Sequence, residues 1–124
     1  MIGKLYKIAQ ALNNKFPIGS DDPFKIMTRL AEECGEVAAE VNHLEGMGVK
    51  LDKLGAPDRS KLAKELAQTI GVALQLSIHY RLQEEMAAYV DQAYQRVVAE
   101  GLVEPLAGEP VVAGEPAAVG EQPA

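Results

Sequence analysis

The chain has no tryptophan, and its aromatic residues amount to four tyrosines and two phenylalanines, 5% of the sequence. A core with so few rings must be packed from Leu, Ile, Val and Ala, which is the usual filling of helical bundles. Positive charge is also scarce: 12 Lys and Arg stand against 18 Asp and Glu, for a net charge of -6. The basic residues are scattered, so no nucleic-acid surface is expected, because phosphate affinity rests on clustered Lys and Arg. Only one cysteine is present, Cys34. An intrachain disulfide is therefore excluded, and a lone thiol within a helical pattern suits a reducing cytoplasm. No apolar run approaches the roughly 18 residues needed to span a bilayer. The N-terminal segment MIGKLYKIAQALNNKF lacks both a long hydrophobic region and a small-residue cleavage site, so no signal peptide is expected. A soluble cytoplasmic domain, with no membrane partner, is the resulting expectation.

Apolar residues make up 48% of the 124, enough for one compact core. Four helices are expected from apolar spacing. In the first, Ile2, Leu5, Ile8, Ala9 and Leu12 recur up to about Asn13, and Phe16-Pro17 ends it. PIGSD then reads as a loop. Asp22-Pro23 has the form of a helix start, Asp as N-cap and Pro at the first position. The second helix runs from residue 23 to about 44 or 45, with Gly46 beyond its end. GMGVKLDKLGAPDRS is a connection, long for a bundle. Asp58 or Ser60 can cap a third helix continuing through KLAKELAQTIGVALQLSIHY, and EEMAAYVDQAYQRVVAEG carries the fourth. No Gly or Pro marks a break at residues 81–83, so a turn and a continuous helix both remain open. From Glu104 onward, Gly-Glu-Pro units recur between Ala and Val, the composition of a disordered tail. The fold class expected is all-α, a four-helix bundle over residues 1–103 with the tail at 104–124. Helix three is apolar nearly all round, so an oligomer is expected to cover it.

RLAEECGEVAAEV, residues 29–41, holds four glutamates in an apolar, helix-forming segment. At about 100° per residue, Leu30, Cys34, Val37, Val41 and Leu44 form one stripe, read as core. Glu33, Glu36 and Glu40 form a row directly beside it, with Glu32 one step further round. Arg29 is the one nearby cation at helical spacing from the row. On helix three, Leu62, Leu66, Ile70, Ala73, Leu74 and Ser77 are expected to be the buried band. Glu65, Gln68, Val72, Gln75 and His79 follow another line. If the two helices pack antiparallel, Glu33 and Glu36 can face Glu65 and Gln68, an oxygen-rich set that suits Mg2+. Glutamates on an amphipathic helix are ordinarily solvated surface, so a purely structural module remains the alternative. His79 is read as a half-buried interface residue and Cys34 as core. Gly35 and Gly71 each cost about 1 kcal/mol inside a helix, which close approach of a neighbouring helix would justify.

LAEECGEVAAEV followed by a loop and KELAQTIGVALQLSIHY resembles the MazG-like all-α nucleoside triphosphate pyrophosphohydrolases. That superfamily also includes the dimeric dUTPases and the phosphoribosyl-ATP pyrophosphatases. Its mark, EExxE on one helix and ExxD on the next, is matched by Glu32-Glu33-Cys34-Gly35-Glu36 and by Glu65-Leu66-Ala67-Gln68, where Gln replaces Asp. The resemblance covers about residues 20–100. It implies that Glu33, Glu36, Glu65 and Gln68 hold Mg2+, with Mn2+ as a substitute, and that Glu32 positions or activates the attacking water. It also implies a nucleoside triphosphate substrate, cleavage to nucleoside monophosphate and pyrophosphate, and a homodimer or homotetramer. Lys64 and Arg96 are the candidate cations for the substrate phosphates. With Gln68 the set is one negative charge short. A weakened relative that binds nucleotide or metal, or a helical interaction module, is the alternative function.

Overall fold

The computed structural model describes residues 1–46 and 49–110, in which every regular element is a helix. The elements are α1 (Ile2–Lys15), α2 (Pro17–Ser20), α3 (Pro23–Leu44), α4 (Val49–Leu54), α5 (Arg59–His79) and α6 (Gln83–Ala99). The chain divides into two compact units, Met1–Leu82 and Gln83–Ala124. Most of the expected Gly-Glu-Pro tail, residues 111–124, lies outside the described residues, and residues 104–110 form turns and irregular backbone. Among the described residues no helix is long and apolar enough to cross a membrane.

The four long helices fall where apolar spacing places them, and two short ones appear where loops were expected. Pro17 opens α2, since its fixed φ fits a first helical position and its missing N–H would be unpaired there anyway. Its carbonyl accepts the Asp21 N–H at 2.9 Å. At the start of α3 the Asp22 carboxylate accepts the Phe24 N–H at 2.9 Å. Asp58, not Ser60, is the N-cap of α5: its Oδ1 accepts the Ser60 hydroxyl at 2.7 Å and the Ser60 N–H at 2.9 Å. Those two bonds, the hydroxyl's first, hold the Asp58 carboxyl below the ordinary aspartate range.

A turn ends α5. Arg81 adopts φ 56°, its N–H bonds the Ile78 carbonyl at 3.1 Å, and the Leu82 N–H bonds the Ser77 carbonyl at 2.9 Å. This is the pattern by which glycine commonly closes helices, here made by arginine at a cost of about 1 kcal/mol. Gly101 closes α6 in the same way, with φ 70° and a Leu102 N–H bond to Val97. Within this second unit the Leu106 N–H donates to the Tyr94 hydroxyl at 2.6 Å.

In the first unit α5 is the central element, packed against α3 and α1. Ala9, Ile26 and Val72 are its buried apolar residues, joined by the buried polar side chains His43, Glu65, Gln75 and Ser77. The covered face of α3 runs through Ile26, Leu30, Glu33, Val37, Glu40 and His43, so two members of the acidic row lie within the seam, while Glu36 is exposed. Two expectations about core are corrected here. Cys34 and Val41, placed on the core stripe, are exposed, as is Met27. Leu66, Ile70 and Ala73, placed in the buried band of α5, are also exposed, while Glu65, Val72 and Gln75 from the opposite line are buried. The physical reason is that α5 has three apolar faces, and α1 and α3 cover two of them. An added Cβ at Gly35 or Gly71 would meet nothing within 4 Å, so the close approach expected at both is not made within the described residues.

His43, unmarked by any sequence pattern, is 2% exposed and lies in the last turn of α3. Its Nε2 is 2.8 Å from the Gly55 carbonyl oxygen, a bond that ties the connection ahead of α5 to the end of α3. Gly55 itself holds φ +71°, which only glycine adopts without strain. Replacing His43 by Ala removes both the packed ring and the carbonyl's donor. Urea unfolding should show a loss of about 2–4 kcal/mol.

Candidate metal centre

Glu33 and Glu36 project from α3 one turn apart, and Glu65 projects from α5 toward them. One oxygen from each of the three carboxylates lies within 4.8 Å of the other two. The packing of α3 on α5 creates this group, since neither helix holds all three residues. Glu65 is the innermost, at 6% exposure. Its Oε1 accepts from the Lys64 ammonium at 3.2 Å, whereas its Oε2 is buried with no hydrogen-bond partner. The Oε2 atoms of Glu33 and Glu40 are buried and unpartnered as well. Leaving a buried acceptor unpaired costs about 1–3 kcal/mol, more when it is charged. Three such oxygens in one seam are a standing demand for positive charge.

The proton affinity of Glu36 registers that demand. Its carboxyl is pushed above the usual glutamate range, first by the charge of Glu65 and next because, when protonated, it can donate to the Glu65 carboxylate. Desolvation, Glu33 and Glu32 add smaller pushes in the same direction.

The sequence-chosen residues divide as follows. Glu33, Glu36 and Glu65 come together. Glu32 is exposed and outside the three-oxygen group, with its charge the weakest of those felt at Glu36. Gln68 is exposed and lines, with Glu33 and Lys64, a cleft of about 230 Å³ whose far wall is α1. Lys64 is 66% exposed and already paired with Glu65. Arg96 sits in the last turn of α6, in the second unit. His79 is half-buried, packed edge-on against the Tyr80 ring at 4.9 Å. Two cleft residues were not singled out as site residues from the sequence: Arg29, noted there only as a possible partner of the acidic row, and Gln75. The Gln75 amide, 3% exposed, donates to Asn13 Oδ1 at 2.9 Å and stitches α5 to α1.

No family model matches the chain, and no curated protein or solved structure shows significant similarity to it.

An acid whose folded-state pKa is raised contributes stability at low pH and loses it as pH climbs through the raised value. In the presence of a chelator, wild-type stability should therefore fall as pH rises above the ordinary glutamate value of 4.5. Glu36→Gln should flatten that fall and leave the protein more stable than wild type at neutral pH. Urea midpoints measured across this range in both proteins check it.

Proposed function

We propose that the chain is a Mg2+-dependent nucleoside triphosphate pyrophosphohydrolase of the MazG-like all-α type. It would split the α–β phosphoanhydride to give a nucleoside or deoxynucleoside monophosphate and pyrophosphate, and so clear unwanted nucleotides. The supporting observation is that Glu65, buried and with an unpartnered Oε2, converges with Glu33 and Glu36. The donor set fits the ion. It is made of oxygen alone and comes from two helices, and hard divalent cations take oxygen ligands.

Glu33, Glu36 and Glu65 would hold the metal, and the Gln68 amide oxygen can add a neutral ligand. Bound Mg2+ would supply positive charge to polarise the phosphoryl oxygens and offset the triphosphate. Glu32, exposed at the edge of the group, is free to orient the attacking water and accept its proton. Lys64 partly offsets the Glu65 charge from the outer side. Pyrophosphate release should be detectable from at least one member of a nucleotide panel with Mg2+ or Mn2+. Glu36→Ala should lower it by about 100-fold or more. Silence across the whole panel with both metals would discard the assignment.

A second reading, a relative that binds metal or nucleotide without turnover, is favoured by Gln68 in place of a carboxylate. It is the form the function takes if wild type is silent and Gln68→Asp both tightens Mg2+ and creates activity.

The partner of the first unit is proposed to be a second copy. Met27, Cys34 and Val41 on α3 and Leu66, Ile70 and Ala73 on α5 flank the α3–α5 seam on the side away from α1, by helical position. They are exposed, and no charged side chain interrupts them. Such a face is apolar enough to be covered in an assembly. Light scattering should report a dimer or larger species, and Ile70→Glu should shift it toward the monomer without loss of helix content.

A further inference from the structure

Lys64 and Arg96 are the sequence candidates for the phosphate chain, Arg29 lies in the same cleft as Glu33, and the surroundings of the three separate them. Lys64 is committed to Glu65 at 3.2 Å and is 66% exposed. Arg96 belongs to the second unit. Arg29 lies on α3 one turn before Glu33, and it lines the same cleft as Glu33, Gln68 and Gln75. Among the described residues the only ion pair is that of Lys64 with Glu65, so Arg29 has no carboxylate partner. The spacing that allows it to reach Glu33 is therefore not used for a salt bridge.

The cleft also changes character along its length. At one end stands Glu33, the member of the carboxylate group that lines it. Arg29 and Gly71 come about two helical turns along, roughly 10 Å from Glu36 on the α3 axis. Beyond Arg29 the walls turn apolar, and a second hollow is lined by Leu12, Phe16, Arg29 and Gln75. Ile8, Ala9 and Leu12 of α1 form the opposite wall of the main cleft. At Gly71 an added Cβ would meet nothing within 4 Å, so the floor there is open. A nucleotide has the same order of parts, with a metal-bound polyphosphate at one end and an apolar-faced base at the other.

The geometry points to Arg29 as the phosphate-anchoring residue of this site, holding a polyphosphate that leaves the Glu33–Glu36–Glu65 group toward the Leu12 and Phe16 end of the cleft. This rests on the nucleotide reading above and deepens it. A guanidinium presents two parallel N–H donors to a phosphate, where an ammonium acts as a point charge. Lysine at this position therefore retains the charge and loses the fork.

The test is calorimetric titration of the full chain with inorganic tripolyphosphate in excess Mg2+, alongside Mg2+ titrated alone. Arg29→Gln should weaken tripolyphosphate binding by about 10-fold or more, the range of a charge-assisted hydrogen bond. Arg29→Lys should fall between the two, and Lys64→Gln should stay within about 2-fold of wild type. Binding of Mg2+ alone should be equal or tighter in Arg29→Gln, because removing a positive charge near the carboxylates does not weaken a cation. Arg29 is exposed, so thermal melting should match wild type. Equal tripolyphosphate affinity in wild type and Arg29→Gln overturns the assignment, as does a wild type that binds Mg2+ but no tripolyphosphate. Failure of the hydrolase reading is seen separately. If no nucleotide turns over yet tripolyphosphate binding still depends on Arg29, the anchor stands and the catalytic claim falls.

Discussion

Everything in the first unit turns on carboxylates placed in the contact between two helices. Glu33 and Glu40 lie in the covered face of α3, and Glu65 is almost fully buried on α5. Bringing like charges together in a seam opposes the hydrophobic packing of Ile26 and Val72 that closes it. One lysine offsets part of the charge, and the charge of Glu65 raises the proton affinity of Glu36. The remainder is left unpaired, with the Oε2 atoms of Glu33, Glu40 and Glu65 buried and without a hydrogen-bond partner.

The same seam explains the asymmetry of the unit. On one flank α1 lies across α5 and leaves a cleft with an open floor at Gly71 and a buried amide pair, Gln75 with Asn13, across it. On the other flank the apolar rows of α3 and α5 are bare. The two flanks therefore differ in character. One is concave and holds Glu33, Arg29, Gln68 and Gln75. The other exposes Met27, Cys34, Val41, Leu66, Ile70 and Ala73, all uncharged.

Helix positions were readable from the sequence because apolar spacing and caps are local. Asp22-Pro23 and the Gly46 stop act within one turn of themselves. The Glu33, Glu36 and Glu65 convergence was readable too, since helical geometry and antiparallel packing suffice to bring them together. Which apolar face of α5 a single chain covers was not readable, because Leu66 and Val72 are equally apolar and only tertiary packing chooses between them. The turn at Arg81 was hidden for a related reason: a non-glycine residue takes a left-handed conformation there under the pull of two backbone hydrogen bonds. Arg29 and His43 carried no motif, and their surroundings come from elements distant in sequence.

The bond between His43 and the Gly55 carbonyl has a mechanical meaning. It fixes a reference point from which α5 is measured against α3. A helix advances about 1.5 Å and turns about 100° with each residue. A slip of α5 by a single residue would therefore swing Glu65 out of the seam and bring a neighbour in its place. Tolerance at the carboxylates is thus set at the far end of the helix pair, by an imidazole that touches none of them.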